Sequence, residues 1–240
     1  MDIISIAYGM LAVSVVVIVG SMIYLKRSQK MVEKACMYGI ISAIMVQVFA
    51  FFFIFTGDFL AILVNAFFLG VVSYNMITVF GMRSAKIYEK DSRNFISFFV
   101  GNAVVANAVN FLLIGFMSIS FTKYSQDPEF VSAVGEDMMN QMSQVMRSIT
   151  VDRLGSLFVG TIASIIVSYC AIRIMIKAYH LKKPVLNLKS VLIMFVFYVI
   201  NLYMPYTGMQ EWMQLVLYGA VAFASYIFLK QEEAAKPAAR

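Results

Sequence analysis

Seven stretches of roughly 20 apolar residues follow one another along this chain, at 3–25, 35–56, 59–82, 95–121, 154–176, 188–206 and 211–229. Each is long enough, as a helix, to cross the roughly 30 Å hydrocarbon core of a bilayer. Inside lipid the backbone must satisfy its own hydrogen bonds, which helices do without a neighbour. The predicted fold class is therefore all-α, a polytopic membrane helical bundle of about seven transmembrane helices. Charged residues make up 13% of the chain and hydrophobic ones 61%, against about 25% and just under half in soluble domains. Residues 1–230 are expected to form a single transmembrane domain, with 231–240 as a flexible tail. A cleaved signal would carry positive charge ahead of a short apolar region. Here Asp2 precedes the first stretch and Lys26 and Arg27 follow it, so it is read as a retained span.

Lys and Arg distribution orients the spans. Sixteen of the nineteen fall on one side, among them Lys26, Arg27, Arg83, Lys86, Arg173, Lys177, Lys182, Lys183 and Lys230; only Lys123, Arg147 and Arg153 fall on the other. This places the N-terminus outside and the C-terminus in the cytoplasm. Gly57 and Asp58 divide the second and third stretches and are expected to form a tight hairpin turn. The basic residues are scattered over loop ends and form no patch on one face, so nucleic acid is not an expected partner.

The outer segment 128–150 carries Phe130, Val134, Met138, Met142, Val145, Met146 and Ile149 at spacings of three and four, which predicts an amphipathic helix. It would lie on the membrane surface or over the mouth of the bundle. Alternatively Met138, Met139, Met142 and Met146 offer an adaptable surface to a partner. At the outer end of the fifth span, Asp152 and Arg153 could anchor or cap that helix.

Catalytic chemistry is hard to place in this sequence. No Asp or Glu lies deep in a span, and His180, the one histidine, falls in a loop. Cys36 and Cys170 sit in apolar stretches with no metal-binding spacing, so they are read as small core residues. Zinc sites need several ligands held together, serine hydrolases need a base beside the nucleophile, and nucleotide hydrolysis needs a phosphate-cradling glycine loop. The pattern points to none of these, and no metal or cofactor is expected. Neutral polar residues remain in the spans, namely Gln47, Asn65, Ser73, Asn75, Asn102, Asn107, Asn110 and Asn201. Asn107 and Asn110 share a helix face. Such residues either bond neighbouring helices, at about 0.6 kcal/mol each, or line a polar pocket for a ligand or another helix.

The order of several segments resembles the YhfC family of bacterial membrane proteins, relatives of the PrsW and CAAX-protease-like intramembrane metalloproteases. The resemblance rests on the apolar hairpin and on FLGVVSYNMITVFGMRSAKIYEK, FVGNAVVANAVNFLLIGF, SITVDRLGSLFVGTIASIIVSYCAIR and VLIMFVFYVINL. Where the family carries a Glu-Glu pair and an Arg, this chain has Ser73, Tyr74 and Ile77. The family's next His and Glu would fall near Ala106 or Asn107 and at Asn110. Its Glu-Arg pair is represented by Asp152 and Arg153, its following His falls near Gly160, and its last His and Asp correspond to Phe197 and Asn201. The resemblance thus implies a pseudoprotease, with the scaffold kept and nearly every ligand or acid replaced by a neutral residue.

Together these readings give the expectation of a noncatalytic protein of the bacterial plasma membrane that binds or regulates another integral membrane protein, for example within a transport or secretion complex. The alternative is a permease or immunity-type component that moves or sequesters a hydrophobic compound. An active intramembrane metalloprotease ranks behind both. The candidate pocket is Ser73, Tyr74, Asn107, Asn110 and Asn201, with no catalytic residue.

Overall fold

The computed structural model describes residues 3–52, 59–88, 92–125, 127–135, 139–140, 143, 151–203 and 210–234. They are helical, with no strand among the described residues. Six long helices, α1 (Ile3–Arg27), α3 (Phe59–Ser84), α4 (Ser92–Tyr124), α6 (Val151–Leu181), α7 (Pro184–Tyr203) and α8 (Glu211–Ala234), each hold a stretch long and apolar enough to cross a membrane. Helix α2 (Glu33–Phe52) packs against α3 and α4. Its expected continuation through the Gly57–Asp58 turn lies outside the described residues.

Around the bundle, α1 lies along the later half of α4, α2 wedges between α3 and the earlier half of α4, and α7 covers the first half of α3. Helix α6 packs against α7 and α8 and also touches α4 near residues 100–105. A shared core joins these helices through Met82, Phe98, Val167, Ile172, Met194 and Tyr218.

Lipid tails are as apolar as leucine, so burial alone does little to hold membrane helices together, and close backbone approach takes its place. The crossing of α2 over α4 is the tightest. A Cβ added to Gly39 would run into the Phe98 carbonyl oxygen, and one on Gly101 into the Cys36 carbonyl oxygen. Gly81 of α3 likewise leaves room only for the Ser42 hydroxyl of α2. Elsewhere a Cβ on Gly115 would lie 3.0 Å from the Ala7 carbonyl oxygen of α1, and one on Gly70 3.0 Å from that of Met194 in α7.

The basic ends of the helices meet at one end of the bundle. There the fully buried Ser97 of α4 donates to the Lys30 carbonyl at 2.6 Å and accepts from the Val32 amide at 2.8 Å, clamping the α1–α2 turn. Three helices end alike. Gln29, Lys86 and Lys182 take positive φ of 53°, 55° and 51°, and the next amides, of Lys30, Ile87 and Lys183, reach back to the carbonyls of Leu25, Met82 and Ala178. This is the closing turn that satisfies the last carbonyls of a helix.

Several sequence expectations change. The outer segment is not one continuous helix. Asp127 accepts from the Glu129 amide and starts α5 (Pro128–Val134), but Gly135, at φ 87°, ends it, a backbone geometry open to a residue without a Cβ. Met139 is buried and so does not offer itself to a partner; Met138, Met142 and Met146 lie outside the described residues. Helix α8 continues to Ala234, so the tail expected from residue 231 instead begins as helix, with Glu232 paired to Lys189 and Glu233 to Arg173 and Lys230. His180 stands in the last turn of α6, not in a loop. Asp152 and Arg153 do fall in the first turn of that helix.

Replacing Gly39 or Gly101 by valine should destabilise the folded protein by about 1–3 kcal/mol or more. Gly9 and Gly219 have nothing within 4 Å of an added Cβ, and valine there should leave stability nearly unchanged. Thermal unfolding of the four variants in mild detergent reads the difference.

Candidate functional site

Two of the long helices carry a π segment, Phe67–Ser73 in α3 and Val100–Val105 in α4. A π turn accommodates one extra residue and shifts the hydrogen-bonding register, and such bulges are often found at functional sites. Here polar side chains supplement that register. Ser73 Oγ donates to the Phe68 carbonyl at 2.6 Å and Asn75 Nδ2 to the Gly70 carbonyl at 2.8 Å, both five residues back. In α4, Asn107 Nδ2 donates to the Ala103 carbonyl at 2.6 Å, while Asn102 Nδ2 crosses to the Gly39 carbonyl of α2 at 3.3 Å.

Both π segments flank a small internal cavity of about 90 Å³. Tyr74, which directly follows the first segment, lines it together with Asn102, Asn107, Ser164, Ser168 and Tyr198. The volume suits a few waters and little else. The Tyr74 hydroxyl is buried without a well-formed hydrogen bond, with the Ser168 hydroxyl close by but outside good geometry. Asn75 Oδ1 and Thr78 Oγ1, on the same helix, are also buried without a partner.

Of the predicted pocket, then, Tyr74 and Asn107 come together. Ser73 does not join them, because its hydroxyl is spent on the Phe68 carbonyl of its own helix. Asn201 lies apart as well. It is exposed, and its Oδ1 accepts from the Tyr218 hydroxyl at 2.7 Å. The side chain of Asn110 lies outside the described residues. Ser164, Ser168 and Tyr198 were not singled out from the sequence; serines spaced four apart on α6 were the available sign.

A second, larger hollow opens sideways between α1, α4 and α6. It measures about 390 Å³ and is walled by apolar side chains including Ile6, Met10, Val13, Phe111, Phe158 and Ile162. That size falls within the roughly 300–1,000 Å³ of small-molecule sites. Its polar residues are largely occupied at home: Ser14 Oγ donates to the Met10 carbonyl at 2.7 Å and Asn107 is bonded to Ala103. What faces the hollow is therefore apolar. Gly9 adds a stretch of bare backbone to its wall. Asn107 lines both spaces and forms the partition between the lateral groove and the inner polar cavity.

Among the described residues no group of three His, Cys, Asp or Glu could hold a metal ion. Cys36 and Cys170 are buried free thiols. No protein-family model matches the chain, and neither does any curated protein or solved structure.

Removing the stranded hydroxyl in Tyr74→Phe should leave stability unchanged or raise it by up to about 1 kcal/mol, because no hydrogen bond is lost. Asn75→Leu should instead destabilise by about 1–3 kcal/mol, since it leaves the Gly70 carbonyl without its side-chain donor. Unfolding midpoints of the two variants, compared with the parent, check both signs.

Proposed function

We propose that this chain is a noncatalytic protein of the bacterial plasma membrane that binds an apolar molecule in its lateral groove. It crosses the bilayer seven times, with α2 as the additional span, the N-terminus outside and the C-terminus in the cytoplasm. The observation that carries the binding reading is the groove between α1, α4 and α6, ligand-sized and apolar, with its few polar side chains bonded within their own helices. Such a wall recognises shape and hydrocarbon, not charge. The clustering of basic helix ends at one end of the bundle supports the orientation.

A pseudoprotease origin is consistent with the centre of the bundle. Where the resemblance would set ligands, near Gly160 and at Asn201, the aromatic ring of Tyr218 fills the space: a Cβ on Gly160 would lie 3.0 Å from that ring, and the Tyr218 hydroxyl holds Asn201. The Tyr74–Asn107 cavity beside it holds neutral polar groups and little volume. A site of that kind can hold water or accept a hydrogen bond, but it lacks a base or a nucleophile paired with one.

A second reading, binding to another membrane protein, rests on a different surface. The outward face of α1 presents Val15, Val16 and Val19 exposed, with Gly20 open to close approach. Small and β-branched residues of this kind let a partner helix come near.

A photoreactive benzoylphenylalanine in place of Ile162, on the groove wall, tests the reading in intact membranes. The expected result is a discrete adduct with a hydrophobic small molecule, reduced when Gly9→Phe fills the groove. The same probe at Leu192, an exposed position of α7, should give only bulk-lipid adducts. Indistinguishable products at the two positions would remove the groove as a site, and a polypeptide adduct at Ile162 would favour the second reading. For orientation, a cysteine at Ser125 should react in whole cells with a membrane-impermeant maleimide and one at Lys182 should not; the reverse pattern would invert the topology.

A further inference from the structure

At the basic end of the bundle, away from the groove, the ends of α4, α6 and α8 enclose a third space of about 410 Å³. Arg173, Lys177 and His180 line it from α6. Their spacing of four and three puts them on one helix face. Ser92, the first residue of α4, and Glu233 of α8 complete its polar wall.

Among the described residues, the charges around this space do not cancel. Glu233 is shared by two cations: its Oε1 takes Arg173 Nη2 at 3.1 Å and its Oε2 takes Lys230 Nζ at 3.0 Å. The neighbouring Glu232 is committed to Lys189. Lys177 has no carboxylate partner among the described residues. Arg173 is held in place on its other side by the Phe95 ring, 5.7 Å from the guanidinium carbon. Among the described residues, Arg173 and Lys177 thus line the space with one carboxylate, Glu233, which Lys230 also engages from outside it.

The floor of the space is apolar, formed by Ile87, Ile176 and Leu229. A free inorganic anion would have no use for such a floor, whereas a lipid presents a phosphate with hydrocarbon directly beneath it. Basic pockets between membrane helices at this depth suit anionic headgroups. We propose that this cavity binds the phosphate of an anionic membrane phospholipid, with Lys177 and Arg173 as its principal cations and the apolar floor contacting the start of the acyl chains. The arrangement would fix the basic ends of α4, α6 and α8 to one leaflet. It is independent of what occupies the lateral groove.

The test is native mass spectrometry of the full chain released from mild detergent after addition of phosphatidylglycerol, phosphatidylcholine or inorganic phosphate. Phosphatidylglycerol should be retained in preference to phosphatidylcholine. Lys177→Gln should weaken that retention about fivefold, the effect of removing one near-surface cation, while Lys177→Arg keeps it. Ser92→Trp, which fills the mouth of the cavity, should weaken it without removing charge, and Lys123→Gln at the opposite end should not change it. Unfolding midpoints taken alongside establish that each variant is folded. Equal retention of the two lipids, or unchanged retention in folded Lys177→Gln, would overturn the proposal. So would complete displacement of phosphatidylglycerol by millimolar phosphate, which would make this a free-anion site.

Discussion

The backbone contact between α2 and α4 governs much of what surrounds it. With Gly39 against the Phe98 carbonyl and Gly101 against the Cys36 carbonyl, the two helices come closer than side chains would allow. In a solvent that offers little hydrophobic drive between helices, that proximity is itself the source of dispersion attraction. It also brings the Asn102 amide within reach of the Gly39 carbonyl and sets Ser97 under the α1–α2 turn. Gly81 extends the same close packing to α3 through Ser42. The basic half of the bundle is thus a tightly fitted unit of α2, α3 and α4.

Outward from that unit the packing loosens, and the two π segments lie at the transition. Their shifted registers turn Tyr74, Asn102 and Ala103 toward a shared polar void, while α1, held to the later half of α4 at Gly115, leaves the lateral groove open between itself and α6. Among the described residues the buried polar side chains are neutral. Most of their polar atoms bond nearby carbonyls, which keeps the backbone satisfied at membrane depth, and a few, such as the Tyr74 hydroxyl, are left over.

Hydropathy made the all-helical fold and its six helices long and apolar enough to cross a membrane legible, since a run of apolar residues of span length has few other uses. It served less well at the edges. α6 extends beyond its apolar stretch to Leu181, and α8 runs to Ala234, where Glu232 and Glu233 pair with Lys189 and Arg173 of the neighbouring helices, a pattern no single stretch reveals. The amphipathic spacing of the outer segment concealed the break at Gly135, where one backbone angle outweighs periodicity. Within the spans, composition identified the polar residues but not their roles. Ser73 and Asn75 each bond a carbonyl five residues back, a π-helix feature without a signature in residue type. Tyr198, Ser164 and Ser168 passed for ordinary span residues, although three-dimensional convergence makes them cavity wall. His180, read as a loop residue, gains its meaning only beside Arg173 and Lys177.

The binding function proposed for this chain requires that tight glycine crossings fix a scaffold whose lateral groove stays open to receive an apolar molecule. A cryo-electron microscopy map of the protein in lipid nanodiscs would reveal whether it does. The expected map shows backbone contact at Gly39 and Gly101 together with elongated non-protein density between α1, α4 and α6, adjoining Asn107. A map in which α1 closes against α6 and leaves neither space nor density there would contradict it.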